Sequence, residues 1–307
     1  MVTFDVVIVG GGPAGLAAAL NLGRSRKRVL LCDAGPRRNA AAVHIHGFVT
    51  RDGTPPNDFR RIGRQQLEPY TSVEARDVRV EEIRGERGAF EVRLATGPVE
   101  ARRILLCTGM VDELPEIDGY RELWGQSIFQ CPYCHGWEVQ DRRFGFLAPG
   151  VDALDFALFL RNWTRDVVLL TDGRFAVPPE AQERLTGAGI PIEERRIARL
   201  SGSEGRLEAV ELAEGSPLPL DVLFARPPQR QVALVQSLGL EVDAGGYLQV
   251  NEQRQTSIPG IYAGGDLVTS AQSATLAAAS GVQAAAMLNH DLTLELATSG
   301  ASRSSGI

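Results

Sequence analysis

Two cysteines three residues apart, in Cys131-Pro132-Tyr133-Cys134-His135-Gly136, are the side chains best suited to chemistry in this chain. At the start of a helix such a pair closes a small, readily reduced disulfide, and a helix N-terminus lowers a thiol pKa below its free value of ~8.5. Pro132 favours that helical start. His135 follows directly; an imidazole with an unperturbed pKa of ~6.5 can exchange protons near neutral pH, or it can simply cap and pack. Zinc is the chemical rival, but it asks for about four ligands and no second Cys/His cluster answers the first, so no metal site is expected. A buried, inert pair is the bland alternative.

A second constellation opens the chain, where Gly10-x-Gly12-x-x-Gly15 brackets Pro13 and Ala14. Gly10 permits a tight turn, Gly12 lets the backbone approach a pyrophosphate, and Gly15 allows close helix packing, while the following helix offers free amides and a positive dipole to phosphate. Asp33 ends the next strand at about the spacing of an acid that accepts hydrogen bonds from ribose hydroxyls. The motif does not choose between FAD and NAD. A related turn, Ala148-Pro149-Gly150-x-x-Ala153, is damaged. A β-carbon at Ala148 strains the turn, and Pro149 removes an amide that should face phosphate.

The elements that must position these residues are legible in the hydrophobic pattern. Phe4–Val9 reads as a strand, Leu16–Leu22 as part of a helix and Arg28–Asp33 as a parallel strand, together one βαβ unit. Residues 35–60 are irregular and rich in Pro, Gly, Asn, His and Arg, with a helix from Pro56 to Leu67. Ala75–Ile83, Ala89–Ala95 and Val99–Leu106 alternate as strands of a meander. Glu113–Gly119 looks like a connector. A second βαβ unit follows: strand Arg143–Leu147, helix Val151–Trp163, strand Asp166–Leu170. Near the end come Tyr247–Val250, Pro259–Asp266 and a small-residue helix from about Ser273 to Leu288, then a Ser/Gly-rich tail, 298–307, expected to be disordered.

Composition narrows the class. In 307 residues, 44% are hydrophobic and 23% charged, which suits two globular domains. No apolar run is long enough to span a membrane, and the opening residues leave no room for a signal peptide, so a cytoplasmic protein is expected. A net charge of −6 with scattered arginines argues against nucleic acid and anionic lipid as partners. The other two of the four cysteines, Cys32 and Cys107, fall inside apolar strands and read as core thiols.

Four separated motifs now carry a resemblance: Val9–Gly15, Leu106-Cys107-Thr108-Gly109, Cys131–Cys134, and Ala263-Gly264-Gly265-Asp266 with Gln272. Together they resemble the low-molecular-weight thioredoxin reductases, nearly end to end. Cys-Pro-Tyr-Cys-His-Gly, with His44-Ile45-His46-Gly47-Phe48 and Arg51-Asp52-Gly53, is closer still to a subgroup that includes dithiol oxidases of fungal and bacterial secondary metabolism. The resemblance implies an α/β fold of two Rossmann-like dinucleotide-binding domains, thioredoxin reductase-like. The FAD-binding domain would be discontinuous, 1–115 and 242–307, around an NAD(P)-like domain, 116–241, that carries the CxxC pair.

By the same resemblance the first site holds FAD, against Gly10, Gly12, Pro13, Ala14, Gly15, Asp33 and Gly109. Asp266, beside Gly265, hydrogen-bonds the ribityl or phosphate region, and Gln272, Ser273, Ala274 and Thr275 lie along the isoalloxazine. Cys134 would face the flavin and Cys131 attack the external disulfide, with His135 in place of the family's acidic proton carrier. Relatives that use NADPH place a His-Arg-Arg cluster where this chain has Thr171-Asp172-Gly173-Arg174; Asp172 would repel a 2′-phosphate and Arg174 is the nearby cation. NADPH use is therefore expected to be weak or absent, with electrons passing between thiols and FAD through the cysteines. The substrate is a thioredoxin-like protein or a small dithiol or disulfide, with a protein electron donor as a further option, and a homodimer is the family's usual state. The competing functions are an NAD(P)H-dependent thioredoxin reductase, an oxygen-dependent small-molecule dithiol oxidase, and a redox-sensing flavoprotein without turnover. A flavin monooxygenase would need a working nicotinamide site.

Overall fold

The computed structural model describes residues 2–35 and 38–298 and resolves them into two compact units. The first comprises 1–38, 56–111 and 229–307; the second comprises 39–55 and 112–228. The sequence reading broke the chain at 115 and 241 and left 39–55 with the first domain; these units break at 111 and 228, and 39–55 folds with the second. The expected disorder of the tail concerns residues that, past Thr298, lie outside those described.

The first unit is built on strand Thr3–Val9, whose β-branched and apolar residues are buried from Val6 onward. It pairs in parallel with Val29–Cys32 on one side, Val7 opposite Leu30, and with Gly97–Leu106 on the other, Val7 opposite Ile104. Burial on both faces is what continuous Val/Ile/Leu runs specify. Strand Gly97–Leu106 divides its pairing: Gly97–Ala101 runs antiparallel to Ala89–Leu94, whereas Ile104–Leu106 is parallel to Ile261–Ala263. The single strand expected over 75–83 is two: Val73–Arg76 pairs in parallel with Val29–Cys32, and Val80–Glu86 joins the antiparallel meander. Alternation across that stretch concealed the change of partner.

Helix Pro13–Arg24 packs on helix Ala274–Thr298, which continues beyond the expected end at Leu288. Contact between them is close enough that a β-carbon on Gly281 would overlap the backbone of Ala14. Arg103, fully buried, ties the sheet to the long helix, with Nε 2.5 Å from Asp291 Oδ2 and Nη2 2.7 Å from Glu295 Oε2. Tyr262 donates to the same Asp291 oxygen at 2.9 Å.

The second unit holds a five-stranded parallel sheet in the order Ile192–Glu193, Val167–Leu170, Phe144–Leu147, Val222–Ala225, Ile128–Phe129. A three-stranded antiparallel sheet, Ile197–Ser203, Arg206–Leu212 and Leu218–Pro219, lies outside the elements read from sequence. In place of the helix expected over 151–163 there is a 3-10 turn, Val151–Ala153, and a short α-helix, Asp155–Leu160. Past Leu160 the chain tightens to i to i+3 bonds, the Arg161, Asn162 and Trp163 amides donating to the Leu158, Phe159 and Leu160 carbonyls at 3.1, 3.2 and 3.0 Å. Both units are mixed α/β with parallel central sheets, as the sequence indicates.

Candidate active site

The glycine turn assembles from backbone necessity. Gly10 has φ +112°, and a β-carbon there would overlap the carbonyl of Cys107. On Gly15 it would overlap the carbonyl of Gly10, while on Gly12 it would meet nothing within 4 Å. Pro13 begins the helix, and its N-cap, Gly12, has no side chain to satisfy the first amides. A cradle of open backbone with unsatisfied helix amides fits a pyrophosphate. The crossing at Gly10 brings Cys107 and Thr108 beside it, and Gly109, φ +64°, follows in the chain.

Asp33 is nearly buried, and Gly11 leaves room for its carboxylate: a β-carbon there would stand 2.5 Å from Oδ2. Arg60 Nε holds that oxygen at 2.6 Å and Nη2 reaches Asp77 at 2.5 Å, so the acid is fixed by an arginine that the sequence reading did not single out. No local signal marks it, because helix Pro56–Gln65 is rich in arginines with equal claim.

From the other end of the chain, Gly265, φ +79°, enters the same turn, and a β-carbon there would be 2.9 Å from that of Ala14. Asp266 Oδ2 lies 3.3 Å from Arg38 Nη1, and the same nitrogen donates to Gln272 Oε1 at 2.5 Å. The Gln272 amide is engaged reciprocally with Gln229, donating at 2.9 Å and accepting at 3.2 Å, and Tyr247 donates to Gln229 Oε1 at 3.1 Å. Thus the Gln272 side chain faces protein partners. Ser273 caps the long helix, its Oγ accepting from the Leu276 amide at 3.1 Å, with Ala274 as first helical residue.

In the second unit Cys131 and Cys134 form a disulfide, with α-carbons 5.3 Å apart. The helix they begin is one turn, Pro132–His135, so few aligned peptides contribute and the dipole stabilisation expected from sequence is small. His135 stacks on Phe129, ring centroids 4.4 Å apart and 10° from parallel, and neither ring nitrogen finds a hydrogen-bond partner. Burial pushes its pKa down to about 4, the charge of His46 adds to the depression, and the Cys131 backbone opposes it. At neutral pH the ring is therefore neutral, and the value near 6.5 assumed from sequence does not hold here. Tyr133 and Trp137 flank the pair with 75% and 71% of their surface exposed. Burial pushes Cys32 and Cys107 up to about 12, which leaves them core thiols.

Asp172 and Arg174, which the sequence sets beyond the second turn, are engaged within the protein. Asp172 does not face outward: it is buried, Oδ1 accepts from the Ile197 amide at 2.7 Å and Oδ2 meets Arg174 Nη2 at 2.9 Å. The expected cation is thereby paired internally. A second cation, Arg226, follows the strand beside Leu147 and lies 4.0 Å over the Phe156 ring.

The family model for pyridine nucleotide-disulphide oxidoreductases matches residues 4–281. The chain belongs to that family. Thioredoxin reductase aclD of Aspergillus oryzae is 31% identical over 92% of this chain and 94% of its own. A relative from Arthroderma benhamiae is 39% identical over 177 residues, and the match spans 44% of its length. Among solved structures, HlmI superposes with a TM-score of 0.90 at 38% identity, covering 97% of this chain and 95% of that one. This member of the pyridine nucleotide-disulphide oxidoreductases is thus of the low-molecular-weight thioredoxin reductase type, an FAD-dependent oxidoreductase acting on disulfides. None of its described helices is long and apolar enough to cross a membrane.

Proposed function

We propose that this oxidoreductase passes electrons between thiol substrates and FAD through Cys131 and Cys134, with little or no use of NADPH. The observation that carries the reading is the Cys131–Cys134 disulfide, with His135 directly after it in the chain and both of its ring nitrogens shut away from solvent. FAD would lie on the Gly10–Gly15 turn, its ribose at Asp33 and its remaining length along Gly109, Gly265, Asp266 and the Gln272–Ala274 segment. When bound, it supplies a two-electron acceptor. Cys131 takes the external sulfur, Cys134 is the cysteine on the flavin side, and His135 exchanges the proton. Arg60 holds the ribose-binding carboxylate in place, and Arg38 fixes the Asp266 and Gln272 side chains.

Both oxygens of Asp172 are engaged and Arg174 is paired with it, which supports a second turn without a 2′-phosphate site. A small dithiol is the favoured substrate, with oxygen or another acceptor downstream. A thioredoxin-like protein is the alternative, for which exposed Tyr133 and Trp137 would form the contact surface. The working form is taken to be a cytoplasmic homodimer. Anaerobic titration of the FAD-loaded protein with dithiothreitol, reduced thioredoxin and NADPH, read by flavin absorbance, tests the reading. Bleaching by dithiothreitol that disappears in Cys134→Ser is expected; bleaching that survives in that variant overturns the cysteine route.

A further inference from the structure

The disulfide rides on very little structure of its own. Its helix is the single turn Pro132–His135, closed by the Cys134 amide donating to Cys131 O at 3.2 Å and the Gly136 amide donating to Pro132 O at 2.7 Å. A lone turn does not persist in water, because fixing its backbone costs more than its few hydrogen bonds contribute. Neighbouring side chains must hold it. One grip is the stacking of His135 on Phe129. The other is Trp163, a residue that the thiol chemistry described above leaves unused.

Trp163 touches the turn twice. A β-carbon on Gly136, the residue that closes the turn, would stand 2.8 Å from Trp163 Cδ1 and 2.9 Å from Nε1, so the indole lies directly against that glycine. Tyr133, between the two cysteines, meets the same indole in a T-shaped contact, ring centroids 5.5 Å apart and planes 87° apart. Trp163 is itself anchored. Phe159 packs on its ring at 5.3 Å, and its carbonyl accepts from the Asp141 amide at 2.9 Å, which ties it to the stretch that leaves the turn. Within that stretch Glu138 Oε1 lies 3.4 Å from His46 Nε2.

We propose that Trp163 is the positioning residue of the redox pair: it keeps the two sulfurs together once their bond has opened and thereby sets how readily the disulfide is reduced, a role that rests on the thiol–disulfide reading above. Opening the Cys131–Cys134 bond takes two electrons and two protons, supplied by a dithiol that closes to its own disulfide, and leaves a thiol on each cysteine. In the oxidised protein the covalent bond holds the turn closed. In the dithiol form that bond is gone, and the packing of Trp163 on Tyr133 and Gly136 is what keeps the turn from opening. Thiols held close have a high effective concentration toward each other, which favours the disulfide. Removing the indole therefore makes the pair easier to reduce.

The potential of the pair in the full-length, FAD-loaded protein tests this. The protein is equilibrated without oxygen at graded ratios of reduced to oxidised dithiothreitol, precipitated with acid, unfolded and labelled with a maleimide. Cys32 and Cys107 are free thiols, so an oxidised chain takes two labels and a reduced chain four. Trp163→Ala should lower the equilibrium constant for forming the disulfide about tenfold, a potential about 30 mV less negative. Trp163→Phe, which returns a flat ring to Gly136, should recover most of that loss. Trp124→Ala removes a ring that stacks on Tyr120 elsewhere in the same unit and should leave the potential unchanged. An unmoved potential in Trp163→Ala overturns the proposal, as does an equal shift in Trp124→Ala, which would mean general loosening. Where Trp163→Ala does not fold, Trp163→Leu fills the space without a ring; it should shift the potential the same way, and an unmoved potential there is equally fatal. If the shift is found but dithiols never bleach the flavin, the thiol–disulfide reading fails separately.

Discussion

The carbonyl oxygen of Gly10 occupies the place a β-carbon on Gly15 would take, while the space in front of Gly12, between them, is open. The two glycines are therefore kept for different reasons, and the same substitution separates them. Gly15→Ala forces the turn and helix apart, a cost of about 1–3 kcal/mol or more, read as a fall in melting temperature of the apoprotein. Gly12→Ala leaves apoprotein stability near wild type but places a methyl where the pyrophosphate would lie. FAD affinity, measured by fluorescence quenching, should fall about tenfold or more. Equal FAD affinity in Gly12→Ala and wild type would refute the cradle.

His135 gives an acid-side signature. Its folded pKa is depressed to about 4 from an unfolded value of 6.5, so its share of stability is present above 6.5 and is lost as pH falls through 4. The shift corresponds to roughly 3 kcal/mol between those limits. Urea melts of wild type and His135→Phe at pH 7 and pH 4.5 should show the variant losing less stability on acidification; identical losses contradict the buried, neutral ring.

Arg103 is the buried partner of two carboxylates of the long helix, which also pair with Arg87 and Arg102. Arg103→Met removes the buried partner but leaves Asp291 with Arg87 and Glu295 with Arg102, and should cost about 1–3 kcal/mol in chemical unfolding. The double variant with Asp291→Asn should cost less than the sum of the two single changes, which a double-mutant cycle measures.

Nicotinamide use is the sharpest test of the second turn. Mixing the oxidised holoprotein anaerobically with micromolar NADPH should produce no rapid flavin bleaching, and Ala148→Gly should not restore it, because Asp172 and Arg174 remain paired with each other. Fast bleaching of the wild type would return this chain to the NADPH-dependent reductases.

The sequence exposed what local chemistry dictates. Gly10, Gly12 and Gly15 followed an apolar strand, and the parallel pairing of Val29–Cys32 with Thr3–Val9 came with them. The spacing of Cys131 and Cys134 allowed a disulfide, with zinc and an inert pair as its rivals, and the disulfide is what forms. What stayed hidden depends on long-range partners: Arg60 looks like any helix arginine until Asp33 is placed beside it, and His46 lies far from Glu138 along the chain. Asp172 misled for the same reason, since its outward or inward direction is decided by the Ile197 amide on a strand that the pattern did not reveal. The helix expected over 151–163 is shorter than its periodicity suggests because tighter i to i+3 turns replace both of its ends, Val151–Ala153 and 161–163, and an apolar period of helical length does not distinguish the two.

Strand Gly97–Leu106 has an edge, at Ile104–Leu106, whose parallel partner is Ile261–Ala263. During translation that edge leaves the ribosome well before its partner exists, whereas 112–228 emerges in one piece. The growing chain must shelter an open row of amides and carbonyls until its last fifth is made, which is where a translation pause or a truncated message would expose it to aggregation.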